Sequence, residues 1–284
     1  MKLDQIWVYP VKSMVGNTVD SCALSPLGID GDRLWAVRDL EHGGIRGAKK
    51  IKALMQMSAR FTGDRDVQGN EVVDITLPNG SNVLSTSPDV DALISSVAGV
   101  GIRLEYLQPA ANLDHFRRGA PGSDDIIDEL RAVFGREELE PLPDFSVFPP
   151  EVVEFESPPG TYYDCWPLMV MSTSALRSIQ EAVPEAVVDI RRFRPSLVID
   201  TPGEVGHPEF SWANRLATLG ECEIEFLSPC PRCVMVTHQV GSDIPADRSI
   251  LRQIVRDLDQ NLGTYARITR PGRVQVGDLL RFVD

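Results

Sequence analysis

Short β-patterned runs, closed again and again by Pro, Gly or Asn, fill most of this sequence, and helical stretches are too few to alternate with them. The clearest case is "EVVDITLPNGSNVLS", from Glu71 to Ser85. A β-branched run, a Pro-Asn-Gly turn and a second run predict a hairpin there. "LDQIWVYPVKS" reads as a first strand and "DRLWAVRD" as a second, with "SPLGIDG" as the turn between them. "RPSLVID" reads as a buried strand and "ATLGECEIEFLSP" as strand, turn, strand. "YARITRPGRVQVGDLLRFV" reads as two strands joined at Pro-Gly. Helices are expected at "DVDALISSVAG", at "SDDIIDELRAVFG", at "STSALRSIQEAV" led by Ser172 or Thr173, and at "DRSILRQIVRDLDQNLG", closed by Gly263. Many strands, few helices and no regular strand–helix–strand alternation predict a mostly β fold of the α+β class, with barrels and attached helices. No Gly-rich phosphate loop follows a strand, which weakens the Rossmann and P-loop classes.

At 284 residues the chain can bury a sizeable core, as one large domain or two small ones. After "IRLEYLQ" its character changes: Pro, Gly and acidic residues crowd around a single amphipathic helix. That stretch is a linker or a long excursion over the surface. The net charge of −13 argues against nucleic acid and anionic lipid as partners, because the average surface repels phosphate. No apolar run approaches the roughly 20 residues that span a bilayer. The opening "MKLDQIWVYPVKS" lacks a basic segment, an apolar stretch and a small-residue cleavage site. Five scattered cysteines do not read as a disulfide framework, so a reducing cytoplasm is the expected location.

Two of those cysteines, Cys230 and Cys233, stand two residues apart in "LSPCPRCVMVT". A structural zinc needs four ligands, and this chain has one such pair. Cys22, Cys165 and Cys222 stand alone and the histidines are scattered, although His238 lies five residues beyond Cys233 and leaves a Cys₂His site open. A redox dithiol wants its first cysteine at a helix N-terminus. Here the pair is followed by "VMVTHQV", which reads as a strand. Both thiols could also be small buried hydrophobes. Arg232 between them favours a thiolate, and a soft thiolate selects soft or redox metals.

A second cluster is basic, in an otherwise acidic chain. It comprises Lys12 and Ser13 in "YPVKS", Arg33 in "GIDGDRLW", Arg46, Lys49, Lys50 and Lys52 in "IRGAKKIK", and Arg191, Arg192 and Arg194 in "RRFRPSLVID". Lys12-Ser13 follows a proline and Arg194 precedes one, so fixed turns position these groups for an anion. A local anion site in a chain of net −13 points to a small anionic ligand rather than a polymer.

The order YPVKS, GIDGDRLW, RRFRPSLVID, SPCPRC and PGRVQVGD resembles the MOSC family, the molybdenum cofactor sulfurase C-terminal domain proteins, with its usual N-terminal β-barrel domain. The resemblance covers nearly the whole chain. It implies an N-terminal domain over 1–108, a poorly matched excursion over 109–155 and a MOSC β-barrel with flanking helices over 156–284. It implies a pyranopterin molybdenum cofactor whose phosphate is held by Lys12, Ser13, Arg33 and Arg194, and whose metal is ligated by Cys233. Ser196 and Asp164 are further expected cofactor contacts, with Asp164 in "GTYYDCWP" equally readable as a turn former. Pyridoxal phosphate binding also travels with the family as a descriptive term. The activity implied is reduction of small N-hydroxylated compounds, as in amidoxime-reducing components and YcbX-like proteins. Two electrons and two protons convert N–OH to N–H and water.

The chain departs from that pattern in two places. Ser196 stands where those members have Asn after "RFRP", and Val236-Thr237-His238-Gln239 replaces Thr-Thr-Val-Asp after the cysteine. These changes bear on substrate identity. No plant-type iron–sulfur spacing is present, so a reductase is expected to need a separate electron donor of ferredoxin or flavoprotein type. Its docking face is expected around Arg191 and Arg192. The alternative function is a non-catalytic carrier of the cofactor or its sulfur.

Overall fold

All five residues of the strand Leu168–Ser172 are buried, as a strand covered on both faces must be. The chain then enters the helix Thr173–Ala182, whose first turn is capped by Ser172: its Oγ accepts from the Ala175 amide at 3.0 Å. The helix carries the chain back to a parallel strand, Leu197–Asp200. The computed structural model describes residues 1–283. It places this pair inside an eight-stranded sheet, otherwise antiparallel, whose remaining members are Leu280–Phe282, Leu216–Leu219, Cys222–Pro231, Asn261–Arg270, Lys2–Val8 and Asn17–Val19. The fold is thus the mixed α and β structure expected, with strands in the majority.

The sheet curls until its ends touch. The Leu280 amide donates to the Met1 carbonyl at 3.1 Å and the Leu3 amide to Asp278 at 2.8 Å. Among the described residues only a single bridge, Lys2 to Leu279, joins them, so the sheet is barrel-like without a closing ladder there. Its concave side buries Leu3, Ile6, Val170, Leu197, Ile224 and Phe226. The pairing also mixes the two ends of the chain: Lys2–Val8 pairs with Leu197–Asp200, and Ser21–Ser25 with Gly272–Gln275.

Two prolines bend the strand that carries the cysteines. In Cys222–Pro231 burial alternates cleanly at first, then register shifts fall at Pro229 and Pro231. Proline cannot donate to the neighbouring ladder, so the strand turns away there. This bend delivers Cys230 and Cys233 to the sheet's rim. Beyond it Met235, Val240 and Ile244 enter a different core, shared with Val11, Leu54 and Ile75 from the N-terminal part, and Cys233 packs partly buried against that core. The N-terminal part holds the expected hairpin, Glu71–Thr76 with Asn82–Leu84, extended by Ser58–Arg65.

The structure corrects three local expectations. The segment after Cys233 is not a strand but a 3₁₀ turn, Val234–Thr237. The last helix, Ser249–Asp257, stops short of Gly263, because Asp259 and Gln260 adopt positive φ (46° and 70°) and reverse the chain. Gly263 lies inside a strand instead, where a Cβ would come within 2.8 Å of the Met169 sulfur. The C-terminal segment forms three strands rather than two.

Candidate functional site

Strand Lys2–Val8 ends at a turn that zips onto the chain near Arg33. The Tyr9 amide donates to Asp32 Oδ1 at 2.7 Å, the Arg33 amide to the Tyr9 carbonyl at 2.8 Å and the Lys12 amide to Trp35 at 2.7 Å. Those bonds fix Lys12, Ser13 and Arg33 side by side. Ser13 Oγ accepts from the Ala48 amide at 2.9 Å, bringing in the loop that carries Lys49. Arg194 caps the short helix Ile190–Phe193 from a left-handed conformation.

Backbone strain concentrates here. Among the described residues, six non-glycine residues have positive φ, and three of them are Ser13 (69°), Arg33 (52°) and Arg194 (56°). Each costs on the order of 1–2 kcal/mol, which marks the region as one where geometry is held against local preference.

All seven residues expected to contact the cofactor, Lys12, Ser13, Arg33, Asp164, Arg194, Ser196 and Cys233, line one cleft of about 680 Å³. That volume lies within the usual range for small-molecule and cofactor sites. Lys12 Nζ donates to Asp164 Oδ1 at 2.5 Å and to the Tyr162 carbonyl at 2.8 Å, and Lys49 Nζ lies 3.0 Å from Asp164 Oδ2. Burial pushes the Asp164 carboxyl upward, but the two lysines outweigh it and hold it well below the usual carboxylate range. Burial pulls Lys12 below the usual lysine value, against the opposing pull of Asp164.

Deeper in, the cations outrun their partners. Arg33 is paired with Asp32 and stacked between the Tyr9 and Tyr163 rings, at 4.9 and 4.6 Å. The Arg194 guanidinium lies 4.2 Å from the Tyr9 centroid and donates one nitrogen to the Met14 carbonyl. Its Nη2 is buried without a partner. Burial, reinforced by Arg33, pulls Arg194 down to about 10. Arg232 donates to the Phe193 carbonyl at 2.6 Å and to the Cys230 sulfur at 3.3 Å, and its Nε is also buried and unpaired. Buried guanidinium nitrogens with nothing to bond are expensive, and an anion in the cleft would satisfy them.

Cys230 and Cys233 differ in kind. Cys230 is 3% exposed and burial pushes its thiol up, so it sits as a packed neighbour in a core with Cys165 and Tyr265. Cys233 is half-buried and faces the cleft. The Cys₂His zinc reading fails on geometry: His238 Nε2 is bonded to the Ala48 carbonyl at 3.1 Å, and among the described residues no three His, Cys, Asp or Glu side chains gather to hold a metal. Ser196 is buried, and its Oγ bonds the Met169 amide at 3.4 Å.

The expected docking face is overturned. Arg192 is fully buried, donating to the carbonyls of Val187 at 2.9 Å and His238 at 2.9 Å, while Arg191 is tied to Asp189 and Asp243. An Arg-Arg pair in sequence gave no sign that one member is a core brace. The sequence also left Lys49 and Arg136 uncommitted. Arg136 reaches in from the 109–155 excursion, with Nε bonded to Gln260 at 2.9 Å and Nη2 to the Arg232 carbonyl at 3.0 Å. Only contact across 96 positions makes that visible.

Mitochondrial amidoxime reducing component 2 of Bos taurus is 23% identical over 300 residues, covering 97% of this chain and 81% of its own. Mitochondrial amidoxime-reducing component 1 of Homo sapiens is 23% identical over 297 residues, covering 96% and 80%. Among solved structures, the YUAD protein from Bacillus subtilis aligns over 99% of this chain and 94% of its own, at 10% identity and a TM-score of 0.42. No helix among the described residues is long and apolar enough to cross a membrane. Residues 1–101 match the MOSC N-terminal beta barrel domain and residues 158–281 the MOSC domain, so the chain is a two-part member of the MOSC family.

Proposed function

We propose that this protein binds a molybdenum cofactor in the cleft and reduces small N-hydroxylated compounds with electrons from a separate donor protein. The carrying observation is the unpaired, buried Nη2 of Arg194, set among Lys12, Lys49 and Arg33 and in the same cleft as the Cys233 thiol. A surplus of buried cations asks for a compact anion, and a half-exposed thiol in the same cavity offers a soft ligand. The residues present therefore fit a phosphate-bearing molybdenum group. The reducing activity named for the mitochondrial relatives supports the same reading.

In this reading Lys12, Ser13, Arg33 and Arg194 hold the phosphate, and Cys233 supplies the thiolate ligand. When bound, the cofactor supplies the two-electron chemistry and the affinity for oxygen that no side chain here possesses. Asp164, held well below the usual carboxylate range by two lysines, keeps Lys12 and Lys49 in place as an orienting group. Tyr9 and Tyr163, both buried and both pushed far up by burial, pack their rings against Arg33, and Tyr9 also against Arg194.

Metal analysis by mass spectrometry, with dye-driven reduction of an N-hydroxy compound, tests the proposal. Near-stoichiometric molybdenum with turnover is the expected result. Molybdenum without turnover, and its passage to an apo-acceptor enzyme, would establish a carrier instead.

A further inference from the structure

The cleft lining has two parts of opposite character. One carries the lysines and arginines already described. The other is a wall contributed by the excursion, bearing Leu130, Val133, Phe134, Phe145, Phe148 and Val152. Three of its rings form one cluster, with centroids 5.8 Å apart for Phe134–Phe145, 6.2 Å for Phe134–Phe148 and 6.1 Å for Phe145–Phe148. Phe148 continues it to the Tyr265 ring at 6.5 Å, beside Cys230. An aromatic surface thus runs from the rim toward the cysteines.

That surface is only partly covered. Phe145 is 43% exposed and Phe148 is half-buried, although both sit in a cluster that could have closed on itself. The wall is nevertheless held in place. Asp125 caps its helix, accepting from the Ile127 amide at 2.7 Å, Arg136 anchors the helix end to Gln260, and Trp166 Nε1 donates to the Val147 carbonyl at 2.9 Å. A preformed apolar surface inside a cleft gains most from a flat apolar occupant, because no reordering opposes its burial. A charged or strongly polar occupant is disfavoured: the six wall side chains offer it neither charge nor hydrogen bond, and the Val147 carbonyl is already satisfied.

We propose that this wall is a binding subsite for the aryl body, or an apolar group of similar size, of the N-hydroxylated substrate, and that it sets the preference among such substrates. The N-hydroxy part of this statement rests on the reductase reading; the aryl part rests on the wall alone.

The test is calorimetric binding to the cofactor-loaded full chain of benzohydroxamic and acetohydroxamic acid, which share one head and differ by a ring against a methyl. Burial of a Phe-sized group predicts that the aryl compound binds about 10- to 150-fold tighter. Phe145→Ala and Phe148→Ala should each shrink that ratio while leaving acetohydroxamic acid unchanged, and Phe148→Leu should retain most of it. Melting curves check that each variant folds. Equal affinity for the two compounds, or an undiminished ratio in both folded alanine variants, overturns the subsite. A ring preference in binding without any dye-driven turnover keeps the subsite and removes the reductase reading. Turnover with no ring preference does the reverse.

Discussion

Lys12 and Asp164 lie 152 positions apart in sequence, yet Lys12 Nζ meets Asp164 Oδ1 at 2.5 Å. The lysine is 3% exposed and the carboxylate 40%. Asp164 also holds Lys49, so one half-open carboxylate neutralises two cations from separate loops.

Replacing Asp164 by Asn should therefore destabilise the protein by about 1–3 kcal/mol, less than for a fully buried pair because water reaches the carboxylate. Inorganic phosphate should restore part of the loss by binding the released lysines. The pH dependence takes its sign from the depressed carboxyl. Its contribution is complete above the unfolded aspartate value near about 4 and disappears as pH falls through the lower folded value. Thermal melts from pH 7 to pH 2 should show a steeper acid decline in wild type than in Asp164→Asn. Parallel curves would show that the pair contributes nothing.

Arg194 should matter more to anion retention than to folding. Its free Nη2 and its stacking on Tyr9 are specific to a planar guanidinium, so Arg194→Lys is not conservative here. One charge-assisted bond is worth about 1.5–3 kcal/mol, or roughly 10- to 150-fold in affinity. Molybdenum content and phosphate-induced melting shifts should both fall in Arg194→Lys, with the melting point in water little changed. Full metal content would make Arg194 a structural residue only.

Cys233→Ser and Cys230→Ser should separate sharply. Both thiols line the cleft, but Cys233 is half-buried, whereas Cys230 is 3% exposed and receives a bond from Arg232. Molybdenum should be lost with Cys233→Ser and largely kept with Cys230→Ser. Equal loss in the two variants would mean that the thiols act as a pair.

The cleft residues Lys12, Ser13 and Arg194 were legible in the sequence because fixed turns flank them, the first two after Pro10-Val11 and the last before Pro195. The helix Thr173–Ala182 was legible from its capping serine, and the hairpin at Glu71 from its Pro-Asn-Gly turn. What escaped is tertiary. Nothing in "RRF" distinguishes Arg191, which is tied to surface aspartates, from Arg192, whose guanidinium braces buried carbonyls. "VMVT" has β-branched residues at strand spacing, yet packing of Met235 into the N-terminal core winds it into a 3₁₀ turn. The excursion showed only its helix, since partners such as Lys50, Arg232 and Gln260 are remote in sequence.

Arg136 is one of several residues that dock that excursion, together with Arg46, Lys50, Trp166 and Arg252. The Arg136 side chain is 6% exposed, and its guanidinium bonds Gln260 at 2.9 Å, the Arg232 carbonyl at 3.0 Å and the Phe134 carbonyl. Burial pulls its basicity down to about 10, so the charge is held at a cost that these acceptors offset. Arg136→Ala leaves three buried acceptors unsatisfied, each costing about 1–3 kcal/mol where water cannot replace the donor. Water reaches the cleft, so the damage should be local: residues 126–153 should loosen while the eight-stranded sheet persists. Amide hydrogen exchange should therefore accelerate across Ile126–Phe134 and around Trp166, with strands Leu168–Ser172 and Leu197–Asp200 unchanged. Ring-bearing ligands should lose affinity together with that protection. Uniform acceleration across the whole chain would instead make Arg136 a residue of global stability, and unchanged exchange would show that Arg252, bonded to Gly135 and Glu140, holds the wall by itself.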